Sequence, residues 1–279
     1  MVAMSANDKF TASSGLSKAD LAALKRAREL LENPGLAARA SALLGSPIER
    51  GIGMLPARVQ KTVHEASEAA MMKALDVAVK SFGANDGKSG GAVMSRSKDR
   101  LHKFAVAATG AMGGVFGLAA LAVELPVSTT IMLRSIADIA KSEGENIQFI
   151  DTKLACLSVF ALGGRSAKDD EAESGYFAAR VAMASAVSEA AKYLAEKGFS
   201  KAGAPALLRL VSLISARFGI VVSEKAALQA LPILGAASGA LINTLFIEHF
   251  QNMARGHFTV RRLEKIYGEE PVRVAYLAL

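Results

Sequence analysis

From Ala105 to Val123 the chain runs nineteen residues without a charge. As a helix that run would measure about 28 Å, close to the roughly 30 Å hydrocarbon core of a bilayer. A second uncharged run, Ala226 to Ile247, is 22 residues long but holds Pro232 and the polar Gln229 and Asn243. Segments this apolar have two stable destinations: they cross a membrane, or they shield one another inside a helical body. Small residues at four-residue spacing (Gly110/Gly114, Gly113/Gly117, Gly235/Gly239) flatten one helix face in each run, which serves close packing in either setting. The flanks favour mutual shielding. Spanning helices are commonly anchored by interfacial Trp and Tyr, whereas this chain has no Trp and neither run has an adjacent Tyr. Glu124-Leu125-Pro126 is expected to end one helix and begin the next, with Pro126 early in the new helix and Glu124 near its free amides. The following segment, Pro126 to Gly144, is amphipathic through Arg134, Asp138 and Lys141. A tight apolar hairpin is therefore expected, and a protein spanning the membrane twice is the alternative.

Helical periodicity dominates the rest. With 51% hydrophobic residues but only 6% aromatic, the core must be built from Ala, Leu, Val, Ile and Met, which favours helices over sheets. The expected fold class is all-α: a multi-helix bundle with a central glycine-rich apolar helical hairpin and an amphipathic helical N-terminal region. Residues 1–16 are expected to be a disordered tail, 17–82 the amphipathic region, 83–100 a Gly-rich linker and 101–279 an apolar helical body. Ser17-x-x-Asp20 resembles a capping box for the first helix. Further helices are predicted over 36–44, 56–82, 101–124, 126–142, 150–162, 173–197, 203–219, 231–256 and 259–267.

Charge is uneven. Residues 1–103 carry 16 Lys/Arg against 10 Asp/Glu, and residues 104–279 carry 17 against 16. A basic leading third beside an apolar body suits an anionic surface. Lipid suits it better than nucleic acid, because few aromatics lie among the basic residues to stack on bases. Cys156 is the one cysteine and lies in an apolar run, so no disulfide forms within the chain and the thiol reads as core. The N-terminus lacks an apolar segment of signal-peptide length.

No motif names a reaction. "GANDGKS" (83–89) leaves three residues between its glycines where a phosphate-binding loop needs four, and it follows a helix rather than a strand. "HEASE" (64–68) puts Glu68 where a zinc helix needs its second histidine, so a solvated His64/Glu68 face is expected and no metal site. "GAASG" (235–239) sets its serine one place late for a nucleophile elbow. His249 and His257 are two helical turns apart, too far to share a metal unaided. Three groups remain as acid/base candidates: Glu124, Glu248 and His257. A hydrolase would need a pocket that brings two of them within hydrogen-bond reach.

The segment Met253–Gly268 carries a different signal. Thr259 is expected to cap a short helix with Val260, Leu263 and Tyr267 facing inward and Gly268 stopping it. Arg255, Arg261, Arg262 and Lys265 then form a basic cluster directly after an apolar segment, as an anionic lipid or partner contact requires. The alternative is a salt-bridged surface using Glu264, Glu269 and Glu270.

Two stretches, "TGAMGGVFGLAALAVELPVSTTIMLRSIADIAKSEGEN" (109–146) and "LPILGAASGALINTLFIEHFQNMARGHFTVRRLEKIYG" (231–268), together resemble the EcsC family. The glycine-rich helix, the Glu-Leu-Pro break and the ending at Gly144 carry the first half of the likeness. Asn243, the "ARGHF" turn and "RRLEKIYG" carry the second, and the likeness extends over residues 55–279. Gly113, Gly114, Gly117, Glu124, Pro126, Arg134, Asn243, Arg255, His257, Arg261 and Glu264 match its motifs, the three glycines and Pro126 as structural positions. The resemblance implies an all-helical fold and a bacterial, membrane-adjacent setting, since founding members are encoded beside the subunits of an ABC exporter. It implies no catalytic residues. The expected protein is a cytoplasmic accessory protein, peripheral to the inner face of the cell membrane, that acts by binding. Anionic lipid and, through the family, transporter subunits are its expected partners, with no cofactor, no metal and no nucleic acid.

Overall fold

The computed structural model describes residues 15–32, 36, 56–81, 121–164, 174–198, 204–229 and 235–279. Eight helices and no strands are found among them: α1 (Lys18–Leu31), α2 (Ala57–Ser81), α3 (Leu121–Ser142), α4 (Ile150–Leu162), α5 (Gly175–Lys197), α6 (Pro205–Gln229), α7 (Gly235–Tyr267) and α8 (Glu269–Ala278). The all-α bundle expected from the periodicity is what forms. The glycine pairs at 110–117, the segment 36–44 apart from Leu36, the linker and most of Ala105–Val123 lie outside the described residues.

α4 is the hub. It packs against α2, α3, α5, α6 and α7. Every residue from Leu154 to Leu162 is buried, the condition of a helix that is apolar on all sides. Phe160 of α4 meets Phe218 of α6 edge-on at 5.3 Å and Phe250 of α7 at 5.2 Å, knitting three helices through one aromatic cluster. The buried core is continuous from Leu16 to Tyr276, so α1 and α2 share it with the later helices across the 83–100 division. Leu16, at the end of the expected tail, is 3% exposed.

The N-terminus of α1 is built as its sequence implied. Ser17 Oγ accepts from the Asp20 amide at 3.1 Å and donates to the Asp20 carboxylate at 2.7 Å. Tyr267, at the far end of α7, donates to the same carboxylate at 2.8 Å and fastens α1 to the bundle. α3 ends at Gly144, whose φ of +85° is open to glycine at little cost. The Gly144 amide bonds Lys141 O at 3.0 Å and the Glu145 amide bonds Ala140 O at 3.0 Å, a paired C-terminal cap that turns Glu145 inward.

Three expectations are corrected. First, α3 runs unbroken through Glu124-Leu125-Pro126, so the hairpin corner is not there. Pro126 lies inside the helix and lacks an N–H donor, and the helix nevertheless continues to Ser142. Second, "ARGHF" is not a turn, and Thr259 caps nothing: α7 is one helix of 33 residues. Gly256 is small because α1 crosses it, not because the backbone bends; a Cβ there would lie 2.6 Å from Leu31 Cγ. Third, the run Ala226–Ile247 is divided between the end of α6 and the start of α7, and α8 forms beyond the last predicted helix. Among the described residues the helix long and apolar enough to cross a membrane is α6, which neither uncharged run foretold.

Candidate functional site

Two polar sites sit inside this apolar body. The first joins α3, α6 and α7. Lys225, wholly buried, donates to Glu124 Oε1 at 2.7 Å, and Asn243 Nδ2 donates to the same oxygen at 3.0 Å. The ammonium also rests 4.9 Å from the centre of the Phe246 ring. Burial pushes the Lys225 pKa down, and the Glu124 carboxylate opposes that push. Glu124 and Asn243 were marked by the sequence and Lys225 was not. Its signal was spacing: Phe218, Val221, Val222 and Lys225 share one face, and that face is buried. A pair buried this way holds three helices in register.

The second site is a cleft of about 460 Å³ between α4, α5 and α7. Ala155 and Ser158 of α4, Arg180, Met183, Ala184, Val187 and Ala191 of α5, and His257 and Arg261 of α7 line it, with Asp151 and Ser188 completing the lining. His257 is buried, and burial, with Arg180 and Arg261 adding to it, holds its pKa well below the ordinary 6.5, so the ring is neutral. Its ring is held by a short polar chain. Arg180 Nη1 can only donate, and it donates to the Tyr176 hydroxyl at 3.3 Å. The same hydroxyl shares a hydrogen bond with His257 Nδ1 at 3.0 Å. His257 Nε2 and Ser158 Oγ have no partner among the described residues.

Between α7 and the α3–α4 turn lies an ionic layer. The buried Glu145 accepts from Arg261 at 3.0 Å, Lys265 at 2.8 Å and Thr152 at 3.1 Å. Arg262 pairs with Glu143 at 2.9 Å and with Asp20 at 3.6 Å. Arg255 donates to Asn252 at 3.1 Å. Three of the four residues of the basic cluster are thus held by carboxylates. The partners are not the expected ones: Glu264 takes Arg180 through two bonds of 2.6 and 3.2 Å, and Glu270 takes Arg273. Charges three or four apart on a helix were legible, but the fold brought acids from α1 and the α3–α4 turn instead.

Glu145 makes the fold acid-sensitive. Burial raises its pKa, but Lys265, Arg261 and Thr152 together outweigh this and hold the carboxyl below its ordinary 4.5. A depressed folded pKa gives stability that is present above the unfolded value and is lost as pH falls through the folded one. The stability gap between the native protein and Glu145→Gln is expected to be constant from pH 7 to 5. Below about 4.5 it should close, by at most about 1.4 kcal/mol per pH unit. Urea midpoints measured for both proteins across that range check this; a gap independent of pH would refute it.

The acid/base candidates do not converge. Glu248 and His257 are nine residues apart on α7, or about 13 Å along its axis. Glu124 bonds Asn243, fourteen residues and about 21 Å from His257 on that helix. Asn243 and Glu248, five residues apart, point to different sides. The condition set for a hydrolase, two of these groups in reach of each other, is not met. His249 bonds Gly163 O at 3.1 Å, away from His257. His64 and Glu68 form an exposed pair at 3.7 Å, and no group of three metal-ligating side chains occurs among the described residues. Burial raises the pKa of the Cys156 thiol, which makes it inert.

Among the described residues the structure is an all-helical bundle latched by a buried ion pair, with a histidine at a cleft between three helices. The chain belongs to the EcsC protein family, whose pattern matches residues 18–263. No curated protein and no solved structure matches it. The family match takes in α1, which the sequence likeness over 55–279 had left out; α1 packs along α7, so its hydrophobic face is part of the same core.

Proposed function

We propose that this EcsC family protein is a membrane-peripheral binding protein of the inner face of the cell membrane, acting without chemistry of its own. The observation that carries it is the outer side of the α5–α6 pair. α6 is long and apolar enough to span a bilayer, yet only 44% of its most apolar 18-residue window is buried. Leu208, Ser212, Leu213 and Ala216 of α6 are exposed, as are Val181, Ala182 and Ser185 of α5, the helix it packs against. Val181 is 76% exposed and Leu208 46%. The charges of Glu189 and Arg209 on this side cancel at 2.8 Å. An exposed apolar face of this kind marks an interaction site. A bilayer with anionic lipid is the occupant that also answers the net charge of +7. The inner side of α6 packs on α2, α4, α5 and α7, which supports lying on the membrane over crossing it. Arg255, Arg261, Arg262 and Lys265 add less, because carboxylates already engage three of them.

Flotation with vesicles of phosphatidylcholine and phosphatidylglycerol tests the proposal. The protein is expected to rise with mixed vesicles, to be released by a carbonate wash, and to lose at least about tenfold of its affinity in the Leu208→Glu/Leu213→Glu double variant. Protein that stays at the bottom of the gradient with every vesicle would rule it out. Retention through carbonate would favour the twice-spanning alternative. Co-purification of exporter subunits from membranes tests the transporter partnership that the family context suggests.

A further inference from the structure

The two members of the Glu189–Arg209 pair are not equally used. Arg209 meets both carboxylate oxygens, at 2.8 and 3.1 Å, through Nη1 alone. A guanidinium carries five donors in a fixed fork. Those on Nε and Nη2 have no acceptor among the described residues. Glu189 is served from two sides, because Ser185 Oγ also donates to it at 3.0 Å. The pair is open to solvent, the arginine side chain 56% exposed and the glutamate 46%.

Position decides what reaches those donors. α5 and α6 pack together and are joined by a short connection, which makes them antiparallel neighbours. From the ion pair, Ser185, Ala182 and Val181 follow backward along α5, while Leu213 and Ala216 follow forward along α6. Both runs therefore lead the same way, and all five residues are exposed. Arg209 stands at one end of this strip, with the exposed Leu208 beside it and the exposed Ser212 a turn further on. An arginine so placed lays its methylenes along apolar surface and keeps its head at the depth of lipid phosphates. Charge on the helix pair favours an anion as well. Arg180 and Lys225 are engaged by Glu264 and Glu124 of other helices. That leaves Lys192, Lys197, Arg209 and Arg217 against Glu189, Glu196 and Glu224 on α5 and α6.

We infer that Arg209 is the headgroup ligand of this protein. At an anionic bilayer its Nε and Nη2 donors take the phosphate of a lipid in bidentate fashion, and Glu189 is the competing acceptor that restrains it. The assignment rests on the bilayer reading of the α5–α6 side and names the contact that reading lacks.

Flotation of the full chain with phosphatidylcholine vesicles of increasing phosphatidylglycerol content reads the affinity. Arg209→Gln is expected to lower it at least about fivefold, and Glu189→Gln to raise it. The gain from Glu189→Gln should vanish in the Arg209→Gln background, because the carboxylate acts through the arginine. Arg209→Lys keeps the charge without the fork and should regain only part of the loss. Thermal melting should hardly change in any of these variants, since the pair is exposed. Unaltered flotation of Arg209→Gln, full affinity in Arg209→Lys, or a Glu189→Gln gain that persists without Arg209 would each overturn the assignment while the bilayer reading stands. Failure of the native protein to float with any vesicle would overturn both.

Discussion

Glu124→Ala is expected to destabilise the protein by about 3–5 kcal/mol, the cost of leaving a buried charge without its partner. Lys225 is wholly buried and donates to Glu124 Oε1 at 2.7 Å, so without it the ammonium must give up its proton or drag water into the core. Lys225→Met alone strands the carboxylate with Asn243 at 3.0 Å and should cost a similar order. The double variant Glu124→Gln/Lys225→Met removes both charges, keeps an acceptor for Asn243, and places a methyl-tipped chain against Phe246. Replacing a buried ion pair in this way is often neutral or stabilising by about 1–4 kcal/mol. Urea unfolding of the native protein, Glu124→Gln, Lys225→Met and the double variant closes a double-mutant cycle. Strong recovery in the double variant is expected; simple additivity of the two single losses would show that the pair is not what holds α3, α6 and α7 together.

Gly256→Ala should damage the α1–α7 contact with a single added methyl. The added Cβ would fall 2.6 Å from Leu31 Cγ and 2.9 Å from the backbone oxygen of Ala27, and backbone cannot step aside as a side chain can. Overpacking of this kind costs about 1–3 kcal/mol. The strain falls on the α1–α7 contact, so α1 is expected to become the first site of limited proteolysis while the far end of the bundle keeps its protection. Shortening Leu31 removes one of the two clashes. Gly256→Ala/Leu31→Ala should therefore cost less than its parts summed, even though Leu31→Ala by itself costs about 2–5 kcal/mol. Unaltered melting of Gly256→Ala would mean that α1 does not press on α7 as closely as described.

These two sites bear differently on what a reader of the sequence could see. The helix over 150–162 was predicted to the residue, and α2 and α5 to within two, because the extent of an apolar or amphipathic run is a property of neighbouring residues. Glu124 and Asn243 stood out as polar residues beside apolar runs. Lys225 did not, because a lysine at the end of a helix looks like any solvated charge until its face is known to be internal. The two misplaced breaks share a cause. Pro126 and Gly256 both weaken a helix locally, and in both places the packing of neighbouring helices outweighs that local preference.

From its residues alone this chain was committed to helices, to an aliphatic core, and to the EcsC family, since all three follow from composition and short-range pattern. Tertiary structure alone decided the partners: Lys225 with Glu124 across 101 positions, Tyr176 with His257 across 81, and Glu145 with the cations of α7. Helical periodicity says which side of each helix turns inward. It carries no information on which other helix will be waiting there, and a buried charge or an unmatched polar atom acquires its meaning only from that neighbour.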